Sequence, residues 1–444
     1  MYGSLLLICL VLPAQAEATQ SADALSGRSS AEKNAEGDDK KSTAAAEKAL
    51  IDETKRLVLQ LNANQASQRD AAEAALVKLG PDVLSHLPAI SPRTPAEVKE
   101  RLGRVRTALE TALAASIAKP SRVTLKGEMS LAEALQSLEK QTGNRVTGYQ
   151  RRGGTVTVDF DKVHYWRALD EILDQAGLAI DEFGGEPNAL VLRAAGDDEV
   201  GRVEPATYSG VFRFEPTRLE SRRDLRNPSV NGLQLTVSVS WEPRIKPISI
   251  RQALNNLTIT ANDGNSLSIN TTRGTLNAST ETGVSAVELI LPIALPSRDV
   301  KVIESLKGTL TALIPGSVET FKFDALEDAR DVEIRNAGVT VTLERVRKNV
   351  KLFEVRVRVT YDEANNALES HRGWIFDNEA YILNSQGERI ADVGLQSTRQ
   401  DKNEAGIAYL FALESLKGCS FVYKTPALIL NLPVKYELKN IQLP

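Results

Sequence analysis

Hydrophobic positions take three different spacings in turn along this chain. From Ala46 to about Ser116 they recur at helical intervals. Leu50, Thr54, Leu57, Leu59 and Leu61 mark a first helix. Ala71, Ala74, Ala75 and Leu76 give the buried face of a second, capped by Ser67 and stopped at Gly80-Pro81. Val83, Leu84 and Leu87 form a short third, and Thr94-Pro95 opens a fourth that carries Val98, Leu102, Val105, Leu109 and Leu113. Between Arg122 and Arg193 the chain alternates short period-two runs with amphipathic stretches. From about Gly201 to the end it is nearly all short alternating runs between turn residues, which predicts antiparallel sandwiches.

The middle stretch contains one unit twice. Ala134 falls on Ala168, Leu135 on Leu169, Gln141 on Gln175 and Gly143 on Gly177, at a constant offset of 34 residues. Each copy reads as strand, helix, glycine stop, strand. Ser130 and Glu133 form a capping box for the first helix. The expected layout is βαβ–βαβ, two helices over one small sheet. Arg151-Arg152-Gly153-Gly154 lies between two strands, so it reads as a hairpin turn and not as a phosphate loop. Tyr149, Phe160, Tyr165 and Trp166 either pack under the helices or form a stacking platform. The candidate interaction surface is Tyr149, Arg151, Arg152, Tyr165 and Trp166.

In the strand-rich part, Leu235-Thr-Val-Ser-Val matches Phe353-Glu-Val-Arg-Val in register. Two tandem sandwiches follow, over 203–325 and 336–444, divided near Ala325 to Asn336 where charge rises. Lys307 to Leu313 and Glu319 to Phe323 read as separate strands. So do Cys419 to Lys424 and Ala427 to Leu443, an ending in which prolines protect an edge.

Composition adds limits. The chain has 444 residues, long enough for several domains, and its 42% apolar and 25% charged content is that of an ordinary globular protein. A net charge of −4 points to no nucleic-acid partner. Leu5 to Pro13 is an apolar run too short to span a bilayer, and Ala14-Gln15-Ala16 supplies a signal-peptidase pattern. The reading is a signal peptide over 1–16, with no basic residue ahead of it, then a disordered tether over 17–45 and export to the periplasm or cell surface. No transmembrane segment follows cleavage. Cys419 is then the lone cysteine, read as a buried small hydrophobe.

Two stretches resemble known families. Arg69 to Leu87, with its arginine, small residues, Leu-Gly and second apolar helix, resembles a HEAT-type repeat, so 46–118 is expected to be a helical cap or docking segment. The "Val-Thr-Leu", "Leu-Ala-Glu-Ala-Leu…Gln-Thr-Gly", "Val-Thr-Val-Asp-Phe" and "Ala-Leu-Asp-Glu-Ile-Leu…Ala-Gly-Leu" motifs of 120–196 are similar to the short N-terminal (STN) domain of secretins and TonB-dependent receptors. That resemblance implies a periplasmic protein-interaction module. The order of signal, helical segment, STN-like unit and tandem β-domains looks like exported envelope proteins of planctomycete-type bacteria. The fold class expected is thus multidomain α+β.

Catalytic signatures are missing from the sequence: there is no G-x-S-x-G, H-E-x-x-H, Walker loop, dinucleotide fingerprint or C-x-x-C. His86, His164 and His371 fall in different predicted domains. Glu242 and Arg244 beside Trp241, and Asp362-Glu363 with Asp377 and Glu379, are the nearest carboxylate groupings, and they read as solvated turn residues. No catalytic residue, cofactor or metal is expected. The function expected is a non-catalytic envelope scaffold that binds another envelope protein. The alternative is a carbohydrate-binding or carbohydrate-active surface protein, with Trp241, Trp374 and Tyr381 as its aromatic candidates.

Overall fold

The computed structural model describes residues 47–88, 94–182, 184–203, 205–270, 274–281, 283–349, 351–362, 367–368 and 372–444. The expected signal peptide, the tether, His371 and Glu363 lie outside them. Two compact units divide the chain, Met1–Arg56 and Leu57–Pro444. The described part of the first is helical, and there Thr54 Oγ1 donates to Leu50 O at 2.7 Å.

The chain is a mixed protein of the α+β kind, with helices first, then helices interleaved with strands, then antiparallel sheets. A helix, α1, covers 47–60. Helices α2 (Ala66–Leu79) and α3 (Ala96–Ile117) follow, with a 3₁₀ turn Pro81–His86 between them in place of the expected third helix. The buried side of α2 is Ala72 and Leu76, not the Ala71–Ala74–Ala75 face, and Gln65 caps it in place of Ser67 without a side-chain bond. Leu59, expected on the apolar face of α1, is exposed. Arginines join α2 to α3. Arg101 is buried against Asp70, Glu73 and Glu97, and Arg69 donates to Ala63 O and Asn64 O.

Next comes the double βαβ unit: β1 (Arg122–Ser130), α4 (Leu131–Thr142), β2 (Arg145–Thr147), β3 (Thr155–His164), α5 (Tyr165–Ala176), β4 (Leu178–Asp181) and β5 (Ala189–Ala194). The capping box at Ser130–Glu133 is present, and Gly143 and Gly177 end both helices in the left-handed conformation. The strands make two sheets, however, not one. β1 pairs with β3, while β2, β5 and β4 form the second sheet. Both helices and both sheets contribute to a single core around Leu135, Leu169 and Leu173. The repeated glutamine explains part of the repeat. Gln141 accepts from Thr124 N–H (2.9 Å) and donates to Thr124 O (3.0 Å). Gln175 does the same at Thr157 (2.9 and 3.1 Å), so each helix end clips a strand.

The remainder is three sheets. Strands β6 (Thr207–Ser209), β7 (Phe212–Arg222) and β8 (Gly232–Trp241) come first, then β9 (Ser249–Ala253), β10 (Thr258–Ala261), β11 (Ser266–Leu267) and β12 (Thr275–Ser279). β13 (Ala286–Ile293) precedes β14 (Val302–Phe323), a single strand of 22 residues. β15 (Arg330–Asn336), β16 (Val339–Asn349), β17 (Leu352–Tyr361), β18 (Ala380–Leu383), β19 (Arg389–Ala391), β20 (Gly394–Gln400) and β21 (Glu404–Phe411) lead to β22 (Ser420–Gln442). β13-β8-β7-β6 make one sheet and β15-β16-β17-β21-β20 another. The third, β11-β10-β14-β22-β18-β19 with β9 and β12, draws strands from both halves.

This third sheet overturns the expected cut near 325–336. β14 and β22 pair from Val302↔Gln442 to Phe323↔Phe421 with no shift of register. Even-numbered residues, Leu306, Leu310, Ala312 and Ile314 with Leu430, Leu432 and Val434, face one core. Odd-numbered ones, Leu313, Phe321 and Phe323 with Phe421, Tyr423 and Ile429, face the other. Successive side chains on a strand point to opposite faces, so the two cores sit on opposite sides of one continuous sheet. The pairs expected as separate strands fuse across Pro315-Gly316 and Pro426. Pro426 is tolerated because, among the described residues, no strand pairs with the outer edge of β22 beyond Tyr423, and Pro315 because none pairs with the outer edge of β14 beyond Leu313. Among the described residues no helix is long and apolar enough to cross a membrane.

Candidate functional site

Three seams attach the double βαβ unit to the sheets. In the first, Asp170 of α5 is fully buried and accepts hydrogen bonds from Arg202 Nε (3.1 Å), Tyr208 OH (2.8 Å) and Arg213 Nε (2.7 Å). Arg213 is also fully buried and pairs with Glu215. Burial, then the Asp170 charge, pushes the Tyr208 hydroxyl far above its usual range. Beside them Trp166 Nε1 donates to Val211 O at 2.9 Å. The second seam is built on Glu242, also fully buried. It accepts from Ser121 N (2.9 Å), Ser121 Oγ (2.6 Å), Asn144 Nδ2 (3.0 Å) and Arg244 Nε (2.7 Å). In the third, Gly185 N donates to Gly283 O (3.1 Å), Ser285 N to Glu182 O (3.2 Å) and Ser238 Oγ to Glu182 Oε1 (2.9 Å). Burial there holds the Glu182 carboxyl above the usual carboxylate range.

A cavity of about 310 Å³ opens beside the third seam. The double βαβ unit supplies Glu186 to Ala189. The β13-β8-β7-β6 side supplies Trp241 from the end of β8, and loops near it supply Ile245, Lys246 and Glu281. The second side supplies Trp374, Asp377 and Glu379, and the shared strands supply Pro315, Lys424 and Pro426. It lies where all three strand-bearing parts of the chain meet. Trp374 is held by its Nε1–H to Ala367 O (2.9 Å) and by an edge-to-face contact with Tyr361. Burial, then repulsion from Glu281, raises the Asp377 carboxyl above its usual range. Glu379 pairs with Lys424 at 2.8 Å and with Arg389, and Glu186 pairs with Arg145 at 2.9 Å.

The five expected surface residues do not share a surface. Tyr149, Tyr165 and Trp166 are buried in the core of the double βαβ unit, with the Tyr165 and Trp166 rings edge-to-face at 5.5 Å. Tyr165 and Trp166 open an amphipathic helix, and their rings fill the space under it. Arg151 and Arg152 alone are exposed, on the turn after β2. Glu242, read as a solvated turn residue, is instead a buried clamp, and Asp362 pairs with Arg335. His86 and His164 are half-buried, and Cys419 is buried with its thiol pushed up by desolvation. Among the described residues no group of His, Cys, Asp and Glu could hold a metal ion. Asp170 was legible in principle. It shares the apolar stripe Trp166, Leu169, Leu173, where an ionised side chain needs a buried partner. The cavity had no sequence signal, since its walls come from segments up to 240 residues apart, Glu186 to Pro426. No protein-family model, curated protein or solved structure matches this chain.

Proposed function

We propose that the chain is a non-catalytic, exported cell-envelope scaffold whose double βαβ unit is STN-like and whose binding face is the three-way cavity. The observation that carries this reading is the convergence of the unit's β4–β5 turn with both sandwiches on one apolar, tryptophan-bearing recess. Clefts where separate packed units meet are the usual place for binding sites. The seams favour a scaffold over a loose string of modules: a buried ion pair that loses its partner is strongly destabilising, so the parts stay together.

The test is photo-cross-linking from a benzoylphenylalanine placed at Lys246 of the full chain in intact envelopes. The expected outcome is a discrete protein adduct, absent when the probe sits at Glu388 in the β18–β19 turn. A folded protein that yields no protein adduct from the cavity overturns the reading. A second reading, carbohydrate binding, is favoured by one observation: Trp241 and Trp374, the sequence-level candidates for it, line the same cavity. Retention on a polysaccharide matrix that is lost in Trp374→Ala, with folding intact, would establish it instead.

A further inference from the structure

We propose that one end of the molecule, carrying Arg222, Arg223, Leu225, Arg226, Arg298 and Lys301, docks on an anionic lipid surface. The loop 223–231 joins β7 to β8, and the segment 294–301 leaves β13 at the same end, since Arg222 pairs with Gly232 and Ile293 with Leu233. Arg223, Arg298 and Lys301 line one recess of about 250 Å³ there, and no acidic side chain lines it. At the tip stands Leu225, 93% exposed, with Val230 at 45%. The turn that carries it is fixed by its own bonds. Asp224 Oδ1 accepts from Arg226 N (2.8 Å) and Asn227 N (2.7 Å), and Asp224 N donates to Asn231 Oδ1 (2.6 Å). A single exposed leucine needs no account, but this one is the centre of a cluster of unpaired cations.

Charge and reach name the occupant. All five cations are exposed, and among the described residues none is in an ion pair or donates a side-chain hydrogen bond. Elsewhere arginines hold carboxylates, as Arg101, Arg202, Arg213 and Arg244 do. The two loops set these five against Asp224 and Asp299, and the adjoining β10–β11 turn adds Asp263, an excess of two positive charges (five minus three). Asp224 and Asp263 are short and fold back onto the main-chain N–H groups of Arg226, Asn227 and Asn265. The guanidinium groups, on long flexible stems, reach past them toward phosphates. An acidic polymer would use the arginines and leave Leu225 in water. A bilayer uses both, with headgroup phosphates for the cations and acyl chains for the leucine. Trp241, which lines the three-way cavity, closes the other end of the 10-residue β8, so docking holds that cavity about 30 Å from the bilayer. Docking here is independent of what the cavity binds.

The test is flotation of chain 17–444 with vesicles of phosphatidylcholine alone and of phosphatidylcholine mixed with phosphatidylglycerol. That chain keeps every described residue and lacks the apolar run Leu5 to Pro13, which would bind lipid by itself. It should float with the anionic vesicles at low salt and stay behind with the neutral ones. Arg222→Gln, Arg223→Gln and Arg226→Gln should each weaken binding about fivefold, and Leu225→Ser about tenfold. Arg151→Gln, on the exposed turn after β2, should leave binding unchanged. Leu225→Trp should shift its emission to the blue on anionic vesicles, whereas the parent, with Trp166 and Trp241 enclosed, should barely change. Should a loop variant melt lower than the parent, Arg298→Gln/Lys301→Gln on the second loop makes the same measurement. A folded parent that floats with neither vesicle, or equally with both, overturns the inference, as does indifference to Leu225→Ser. Capture on dextran sulfate that needs the arginines but not Leu225, without flotation, assigns the patch to an acidic polymer and overturns it too.

Discussion

Asp170 shows how one residue ties sequence to assembly. An ionised carboxylate on the apolar stripe of α5 is tolerable only because three donors, from Arg202, Tyr208 and Arg213, surround it. Replacing it leaves the fully buried Arg213 without its main counter-charge, so Asp170→Ala should cost about 3–5 kcal/mol. Urea unfolding would show this as a lower midpoint at an unchanged slope. Glu182 makes the opposite contribution. Its folded pKa is raised above the unfolded value, so the ionised form is disfavoured in the fold. Stability due to this group is therefore greatest below the unfolded carboxylate pKa. It falls as pH rises to the raised folded value and is flat beyond. Glu182→Gln can still accept from Ser238, and should raise the melting temperature at pH 7 while leaving it nearly unchanged at pH 3. A variant that melts lower at pH 7 would contradict the assignment.

At the scale of elements, the helices of the double βαβ unit were legible because their signals are local. Helical spacing, a capping box and a glycine stop each lie within one turn of what they control. The sheet arrangement was not, because strand pairing is decided by partners far along the chain. β2 pairs in parallel with β5 across two intervening strands and a helix, which no local pattern encodes. The repeated glutamines had been visible only as identities, and the structure gives them a task at the helix ends. Gln175→Ala should lower stability by about 1 kcal/mol, because the exposed Thr157 N–H and carbonyl exchange two protein hydrogen bonds for water. Hydrogen exchange at Thr157 should quicken along with it. The third seam depends on a glycine contact. A Cβ on Gly283 would lie 2.7 Å from the Gly185 backbone, and Gly283 has φ +85°. Gly387 has a similar φ, +81°, with open space around it. Both alanine variants carry the backbone strain, so Gly283→Ala should destabilise clearly more than Gly387→Ala in the same melt.

Across the whole molecule, the shared sheet should make the two cores it carries unfold together. Chains limited to 203–325 or 336–444 each lose one member of the β14–β22 pair and expose half of a core. Neither should give a cooperative melt, whereas 57–444 should melt in one transition. Two independent transitions in calorimetry would refute this. The cavity belongs to the same scale. Trp241, Asp377 and Glu379 were noticed as residues, but that they face one recess with Glu186 depends on three parts of the fold closing on each other.

The sequence by itself determined the long helices, the capping box at Ser130, the glycine stops of the double unit, the 34-residue repeat and the strand-rich character of the second half. Those are consequences of periodicity and of glycine and proline conformations, which act over a few residues. Only the tertiary structure decided that Lys307–Leu313 and Glu319–Phe323 are one strand, that its two faces serve two cores, and that Glu242 and Asp170 are buried. The physical reason is shared. A strand's length, a proline's edge position and a carboxylate's burial are set by what lies across from them, and here those partners come from the far end of the chain.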